Sequence, residues 1–405
     1  MIRRAAFFFI FLTVLLDMLA LGIIAPVFPR LIIELRGGSE TSGAVILGVF
    51  GTVWAAMQFV FAPVLGALSD RFGRRPVILL SCLGLGLDYF VMALAPTIGW
   101  LFVGRVLSGI TSSSFTTAFA YIADVTEPEE RAKRFGMLGA AFGIGFILGP
   151  AVGGLVSELG LRAPFWAAGA MSLVGAAYGF FVLPESLPPE RRAAFSLRHA
   201  NPLGSLSFLG ARRALLGLAA VAFLYRVAHD VLPTMFVLFS QYRFDWSSRT
   251  VGIVLALGVG GSSMIVQAAV VGPVVKRLGE SRAVLVGLAC GAIANVIYAF
   301  APNGAVFVAA ILVGSFFGLT YASLQGLMSR KAAADEQGRL QGAIGSLMGI
   351  AGVIAPFLYT QAFAKAIGPW SPLGLPGLPF LIAAALLVTA MLVVYFATSP
   401  TAEPA

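Results

Sequence analysis

Charge is scarce in this sequence. Charged residues make up 11% of its 405 positions, where soluble domains carry about 25%, and a globule of this length could not cover its surface with so few. A disordered chain needs low hydrophobicity with high charge, so the soluble and disordered classes are both excluded. Cysteine is scarcer still: Cys82 and Cys290 are the two in the chain. Each lies in an apolar run, which leaves no disulfide framework and no Cys/His cluster of metal-ligand type. No metal and no other cofactor is expected. There is no Walker A loop, which argues against ATP-driven export, and the Ser, His and carboxylate positions form no motif of nucleophilic catalysis, so the chain is not read as an enzyme.

What is abundant is long apolar runs, with 59% of the residues hydrophobic. A bilayer core about 30 Å thick needs about 20 apolar residues per helix. Runs of that length recur twelve times, near 7–28, 43–68, 76–95, 98–123, 135–157, 164–183, 214–240, 250–273, 283–300, 305–328, 341–363 and 379–397. The chain therefore reads as an all-α membrane protein with twelve transmembrane helices. The first run follows Arg3 and Arg4 as a signal peptide would, but it exceeds a signal core, contains Asp17 and is followed by further spans. The net charge of +9 would suit nucleic acid, yet the basic residues sit in short segments between spans, so no nucleic-acid partner is expected. Nineteen Lys and Arg fall on the side of the termini, six on the other and two, Arg105 and Arg226, inside spans. That asymmetry places both termini in the cytoplasm.

The longest polar interval runs from Pro184 to Arg213 and contains PESLPPERR and LRHANPLGS. It reads as a cytoplasmic linker, 185–213, between an N-terminal six-helix half, 1–184, and a C-terminal six-helix half, 214–405. The halves repeat: GALSDRFGRRPVIL (66–79) matches GPVVKRLGESRAVL (272–285), and EERAKRFGMLGAAFGIGFILGP (129–150) matches DEQGRLQGAIGSLMGIAGVIAP (335–356), both at an offset of 206. Two separated matches at one offset imply a duplicated six-helix unit, a plan typical of transporters with a substrate site at the bilayer midplane.

These residues carry a resemblance. GALSDRFGRRPVIL resembles the loop motif between the second and third helices of the major facilitator superfamily, and GIGFILGPAVGG (143–154) resembles its fifth-helix antiporter motif. LLDMLALGIIAPVFPRL (15–31), residues 61–96, GRVLSGIT (104–111) and SLQGLMS (323–329) are similar to the tetracycline efflux pumps. The resemblance implies two pseudo-symmetric six-helix bundles and a proton-coupled antiporter that exports a small amphiphilic drug, such as a tetracycline, by alternating access. Its partners would be that substrate, protons and the lipid bilayer of the inner membrane, and it would work as a monomer. The alternatives are a proton-coupled exporter of an endogenous metabolite, or a non-transporting receptor or scaffold.

In the loop motif, Gly66 and Gly73 would permit close helix approach and a tight turn, and Arg71, Arg74 and Arg75 suffice as a positive-inside anchor. Asp70 is not explained by that rule. The resemblance implies that it latches onto the second half when the cytoplasmic side is closed, with the arginine that follows it, Arg71, reaching an acidic residue at the end of the fourth helix, the place of Asp124. In the fifth helix, Gly145, Gly149, Pro150, Gly153 and Gly154 form GxxxGPxxGG, a packing face with a proline kink, which in the family goes with antiport.

Ionisable groups inside spans carry the most information, because a lone charge at the bilayer centre costs a few kcal/mol or more. Six need explaining: Asp17, Asp88, Arg105, Arg226, His229 and Asp230. Arg226 and Asp230 are spaced i, i+4 and could form a static pair. Asp17 and Asp88 have no basic neighbour on their own helices. Low-dielectric surroundings favour the neutral form of a carboxylic acid, which suits proton exchange near neutrality. By resemblance, Asp17 and Asp88 fall on acidic positions important to transport in the tetracycline pumps, and Arg105 on the fourth-helix arginine of the superfamily. The second half departs from that pattern: Cys290 stands where the pumps carry a ninth-helix acid, and Ser263 near their eighth-helix histidine. Asp230 is the one acidic residue deep in the last six spans, so either the trio Arg226, His229 and Asp230 has taken over a titrating role or coupling rests on the first half. Gln58 and Gln325 are candidates to line a substrate cavity, with Gln267 and Asn295 more in keeping with interhelical bonding.

Overall fold

A computed structural model describes residues 2–112, 115–192, 206, 209, 213–333 and 336–398. Most of the expected linker, 193–205, 207–208 and 210–212, lies outside the described residues, as does Asp335 of the repeat. The chain is helical throughout its spans: α1 Ile2–Ile24, α2 Glu40–Phe72, α3 Arg74–Leu94, α4 Ile98–Thr111, α5 Pro128–Val156, α6 Ala163–Val182, α7 Leu215–Phe244, α8 Ser248–Leu278, α9 Glu280–Phe300, α10 Gly304–Arg330, α11 Gln337–Ile367 and α12 Leu378–Thr398. All but α4 are long and apolar enough to cross a membrane. The expected fourth span consists of α4 and a following helix Phe115–Val125, with residues 113 and 114 outside the described ones.

Proline and glycine set the interruptions. The first helix ends at Ile24, earlier than the run to 28 suggests, and a short helix Phe28–Leu35 follows. Pro26 and Pro29 explain the break, since proline disfavours helical backbone in the residue before it and supplies no N–H. In α7, Pro233 cannot bond to the carbonyl of His229, and the helix divides there into Arg213–His229 and Val231–Phe244 with Asp230 at the joint. The winding of α8 loosens to π-helix over the glycine-rich Val254–Gly261 and again over Val266–Val270.

The chain gathers into two compact units. One takes the described residues of Met1–Ser39, Val53–Asn201 and Ser247–Ala256; the other takes those of Glu40–Thr52, Pro202–Trp246 and Leu257–Ala405. Thus the beginnings of α2 and α8 each belong with helices far away in sequence.

The first unit is built on α1 against α5. A Cβ on Gly149 would lie 2.6 Å from the Cα of Gly22, and one on Gly145 would lie 2.5 Å from the Cβ of Met18 and 2.9 Å from the carbonyl oxygen of Leu15. The other face of α5 receives the start of α8: a Cβ on Gly154 would lie 2.8 Å from the carbonyl oxygen of Ser248. Phe9, Ile10, Val14, Ile78, Tyr121, Ile122 and Leu138 fill the core beside this contact. Lipid is as apolar as leucine, so packing at this closeness, rather than hydrophobic burial, is what holds such helices together.

In the second unit the start of α2 lies on α11. Thr52 Oγ1 donates to the carbonyl of Val353 at 3.0 Å, and a Cβ on Gly51 would lie 2.8 Å from Pro356 Cβ. An aromatic cluster of Phe236, Phe239, Trp246, Tyr298, Phe307 and Phe380 fills the far end.

Close glycine packing on α5 predicts an asymmetry along one helix. Gly149→Ala must push α1 away and should destabilise the protein by about 1–3 kcal/mol. Gly143→Ala, where a Cβ meets nothing within 4 Å, should be neutral or slightly stabilising. Thermal unfolding in detergent checks this, and equal effects at the two positions would contradict the packing described.

Candidate functional site

Three groups of polar residues stand out, two in the first unit and one in the second. The deepest centres on α1, α3 and α4. Asp17 is 6% exposed and Asp88 1%. The thiol of Cys82, on α3, points at Asp17 Oδ2 at 3.9 Å. Neither carboxylate oxygen of Asp88 makes a well-formed hydrogen bond to a described residue, and the hydroxyl of Ser108 on α4 is the polar group beside it. It rests against α4 where Gly104 leaves room, since a Cβ there would lie 2.7 Å from Asp88 Oδ1. The cation acting on it is Arg105, the next residue along. Arg105 is itself buried, with its guanidinium 4.6 Å above the ring of Phe28 and Nη2 3.3 Å from Met92 Sδ. The three sequence-predicted residues are thus brought into one buried set, and Tyr89, 1% exposed, feels the charge of all three.

The second group lies where α2 passes into α3. Gly73 makes the turn at φ +104°, a conformation that favours glycine, and a side chain there would run into Glu185. Arg74 is the hub: Nη1 meets Asp70 Oδ1 at 2.5 Å and donates to Ser69 Oγ at 2.6 Å, while Nε donates to Asp124 Oδ2 at 3.1 Å. Ser186 Oγ donates to the same Asp124 oxygen at 3.1 Å. The backbone N–H groups of Arg74 and Arg75 donate to Glu185 at 2.8 and 3.3 Å, so a carboxylate satisfies the first N–H groups of α3. Arg75 Nη2 donates to the carbonyl of Phe180 at 2.7 Å.

Two expectations are corrected here. The arginine that reaches Asp124 is Arg74, one turn beyond Asp70; Arg71 is exposed and lies over the ring of Phe72. The turn at Gly73 accounts for this, because it leaves Arg71 on the last turn of α2 and starts α3 at Arg74, whose side chain folds back onto Asp70 and Asp124. Gly66 permits no close helix approach, since a Cβ there meets nothing within 4 Å. Glu185 went unnoticed in the sequence because it sits in the run of prolines and charges that reads as linker; an acid directly at the end of the sixth span was its only signal.

The corresponding place in the second unit repeats this arrangement with the charges exchanged. Gly279, at φ +75°, begins α9 as Gly73 begins α3. Glu280 stands where Arg74 would, at the offset of 206, and Arg330 where Asp124 would; the two form an ion pair. Gly326, one turn before Arg330, leaves the space that the Glu280 carboxylate occupies, 2.6 Å from where a Cβ would be. Pro356 likewise answers Pro150 within α11 and α5.

The third group lies at the α7 joint. Arg226 Nε donates to Asp230 Oδ2 at 3.1 Å, and His229 Nδ1 is 3.4 Å from Asp230 Oδ1. The residues Arg226, His229 and Asp230 therefore do meet. Tyr359, on α11, donates to the carbonyl of Val227 at 2.9 Å and fixes the helix just before its break. Gln325 Nε2 donates to the hydroxyl of Tyr321 at 2.9 Å. Gln58 is half-buried on α2, and Asn295 bonds back to the carbonyl of Gly291 on its own helix at 2.8 Å.

Buried carboxylates on apolar helices, in a chain that repeats itself after 206 residues, define a multi-pass membrane transporter. The chain belongs to the Major Facilitator Superfamily, whose profile matches residues 10–356, and within it to the family of the tetracycline resistance proteins. It is 37% identical to the class C tetracycline resistance protein of Escherichia coli over 374 residues, 92% of each chain. Among solved structures, it superposes on the human organic anion transporter MFSD10 with a TM-score of 0.70 at 25% identity, covering 97% of this chain and 99% of that one. It shares its fold with the nucleoside transporter NupG at a TM-score of 0.78 and 12% identity, over 97% of this chain and 100% of that one.

The hub at Arg74 sets an order of effects. Arg74→Ala removes the shared cation from two partly exposed carboxylates and should cost about 1 kcal/mol, while Arg71→Ala should cost under about 0.5 kcal/mol. Thermal unfolding of the two variants checks the assignment, and a larger loss for Arg71→Ala would reverse it.

Proposed function

We propose that this protein is a proton-coupled antiporter that exports a small amphiphilic drug, such as a tetracycline, across the inner membrane. The observation that carries the reading is the pair Asp17 and Asp88, both carboxylates buried within membrane-spanning helices. An unpaired charge there is costly, and taking a proton removes it. Each carboxylate is thereby a seat for a proton that travels with the conformational cycle, Asp17 leading and Asp88 supporting, with Arg105 as the cation that Asp88 faces when its proton is gone. The tetracycline resistance proteins to which the chain is similar support a drug as the cargo.

The cycle is alternating access of the halves 1–184 and 214–405 joined by the linker 185–213, with both termini in the cytoplasm and one chain sufficing. The smooth GxxxGPxxGG face of α5 (Gly145, Gly149, Pro150, Gly153, Gly154) suits a helix that must slide against its neighbours. The cluster of Asp70, Arg74, Arg75 and Asp124 on the turn at Gly73 serves as a gate: ion pairs that must exchange partners make a bistable element of the kind that switching requires. Arg71, exposed beside the cluster, is free to bind a partner in another state of the cycle. At the α7 joint, protonation of Asp230 would release Arg226 and shift the balance between states, with His229 as the neighbouring proton carrier.

Everted vesicles loaded through an imposed pH gradient test the reading. Tetracycline is expected to be concentrated uphill, and collapse of the gradient to abolish this; undiminished uphill transport without a gradient would sink the proposal. Asp17→Asn should insert normally and pump nothing, whereas normal pumping would remove Asp17 from the mechanism. Asp230→Asn should move the pH profile of transport. An unchanged profile with lower thermal stability would leave the α7 trio as a static pair.

A further inference from the structure

We propose that α8 carries a helical joint: the π-wound stretch Val254–Gly261 rewinds to α-helix when the start of the span leaves α5, so that α8 turns within itself instead of moving as a rigid rod. The proposal rests on the alternating-access reading for its place in a cycle, while the winding is a property of α8 alone. Two independent observations meet at this stretch. A π turn closes from residue i to i+5 and takes up more residues than an α turn, and such turns are rare and mostly single. Yet α8 has eight consecutive residues so wound over Val254–Gly261 and five more over Val266–Val270. The passage of α8 from the first compact unit to the second, between Ala256 and Leu257, falls inside the first of these stretches.

Each side of the joint is fastened. Within the first unit, the start of α8, Ser248–Ile253, is seated on α5: a Cβ on Gly252 would run into the carbonyl of Pro150, and Arg249 Nη1 meets Glu158 Oε1 at 3.0 Å. Within the second unit, the rest of α8 is tied to α10. Ser262 Oγ lies 2.5 Å from Ser315 Oγ, both serines being buried, and it also reaches the carbonyl of Gly258 inside the π stretch. A hydroxyl that bonds back to a carbonyl four residues earlier favours a bend in the helix. Between the two fastenings, three of the eight residues are glycine and Ala256 alone of the eight is buried, so little packing opposes a change of winding and the backbone is free to make it.

Passing between the units does not itself require this winding. Residues 48–55 of α2 match 254–261 at the offset of 206, and α2 passes between the units at Thr52 and Val53, yet α2 is α-helical throughout. The π winding is therefore particular to α8. Of its two fastenings, the ion pair at the start is the one that gives, since both side chains are more than half exposed and exposed pairs hold weakly. An α turn takes fewer residues than a π turn, so rewinding rotates the start of α8 about the helix axis relative to the segment held by Ser262, and carries Arg249 away from Glu158.

The test removes one residue, Val259, from the π stretch of the full chain, which should leave α8 wound as α between its two fastenings with no slack to rewind. Spin labels at Leu159→Cys and Thr250→Cys, with Cys82→Ala and Cys290→Ala, report in nanodiscs the distance between the end of α5 and the start of α8. Without the deletion a short and a long population are expected; deletion of Val259 should cut the long one by about tenfold or more, and gradient-driven tetracycline uptake with it. Thermal unfolding should stay within about 4 °C of the undeleted chain, whereas deletion of Val286 from the α-wound α9 shifts the register of that helix and should lower it by more than about 10 °C. A single population in the undeleted chain, a long population that survives the deletion, or a loss of stability equal to that of the Val286 deletion would overturn the joint. Vesicles of the undeleted protein that fail to pump while the labels behave as expected would count against export and leave the joint standing.

Discussion

A charge in a lipid-spanning helix has to meet either a partner or water, and most of what is distinctive in this molecule answers to that constraint. Asp17 and Asp88 are withdrawn from lipid among α1, α3 and α4, where the thiol of Cys82 points at Asp17 and the charge of Arg105 acts on Asp88. Arg105 is held by a ring face and a sulfur instead of by bulk water, an arrangement that keeps a cation inside the bundle at reduced cost. Arg226 and Asp230 solve the same problem by pairing across one helical turn beside a break in α7.

Duplication gives these local solutions a common frame. The turns at Gly73 and Gly279 share a backbone conformation that disfavours other residues, and each opens a long helix whose first residue is held by an ion pair. The polarity of that pair is opposite in the two units, Arg74 with Asp124 and Glu280 with Arg330. The first unit adds the carboxylate of Glu185 across the helix start, which makes its cluster the more elaborate of the two.

Much of this was legible in the amino-acid order. Apolar runs of bilayer length marked the spans because no other class of protein sustains them, and the six intramembrane charges announced themselves by their rarity. The offset of 206 pointed to the paired turns. What could not be read was which arginine meets Asp124, since Arg71, Arg74 and Arg75 differ only in the face of the helix they take, and that depends on where the turn at Gly73 ends. Gly66 showed the opposite limit: a glycine in a motif need not touch anything.

The central claim, exchange of drug against protons, is tested most directly by asking whether one flux drives the other in a closed system. Purified protein is reconstituted into proteoliposomes containing a trapped pH-sensitive dye, with the membrane potential clamped at zero, and a gradient of tetracycline alone is imposed. The account predicts that tetracycline moving into the vesicles drives protons out, so that the lumen becomes alkaline at a rate that follows drug entry. Drug entry with no change in luminal pH, or with acidification, would contradict it.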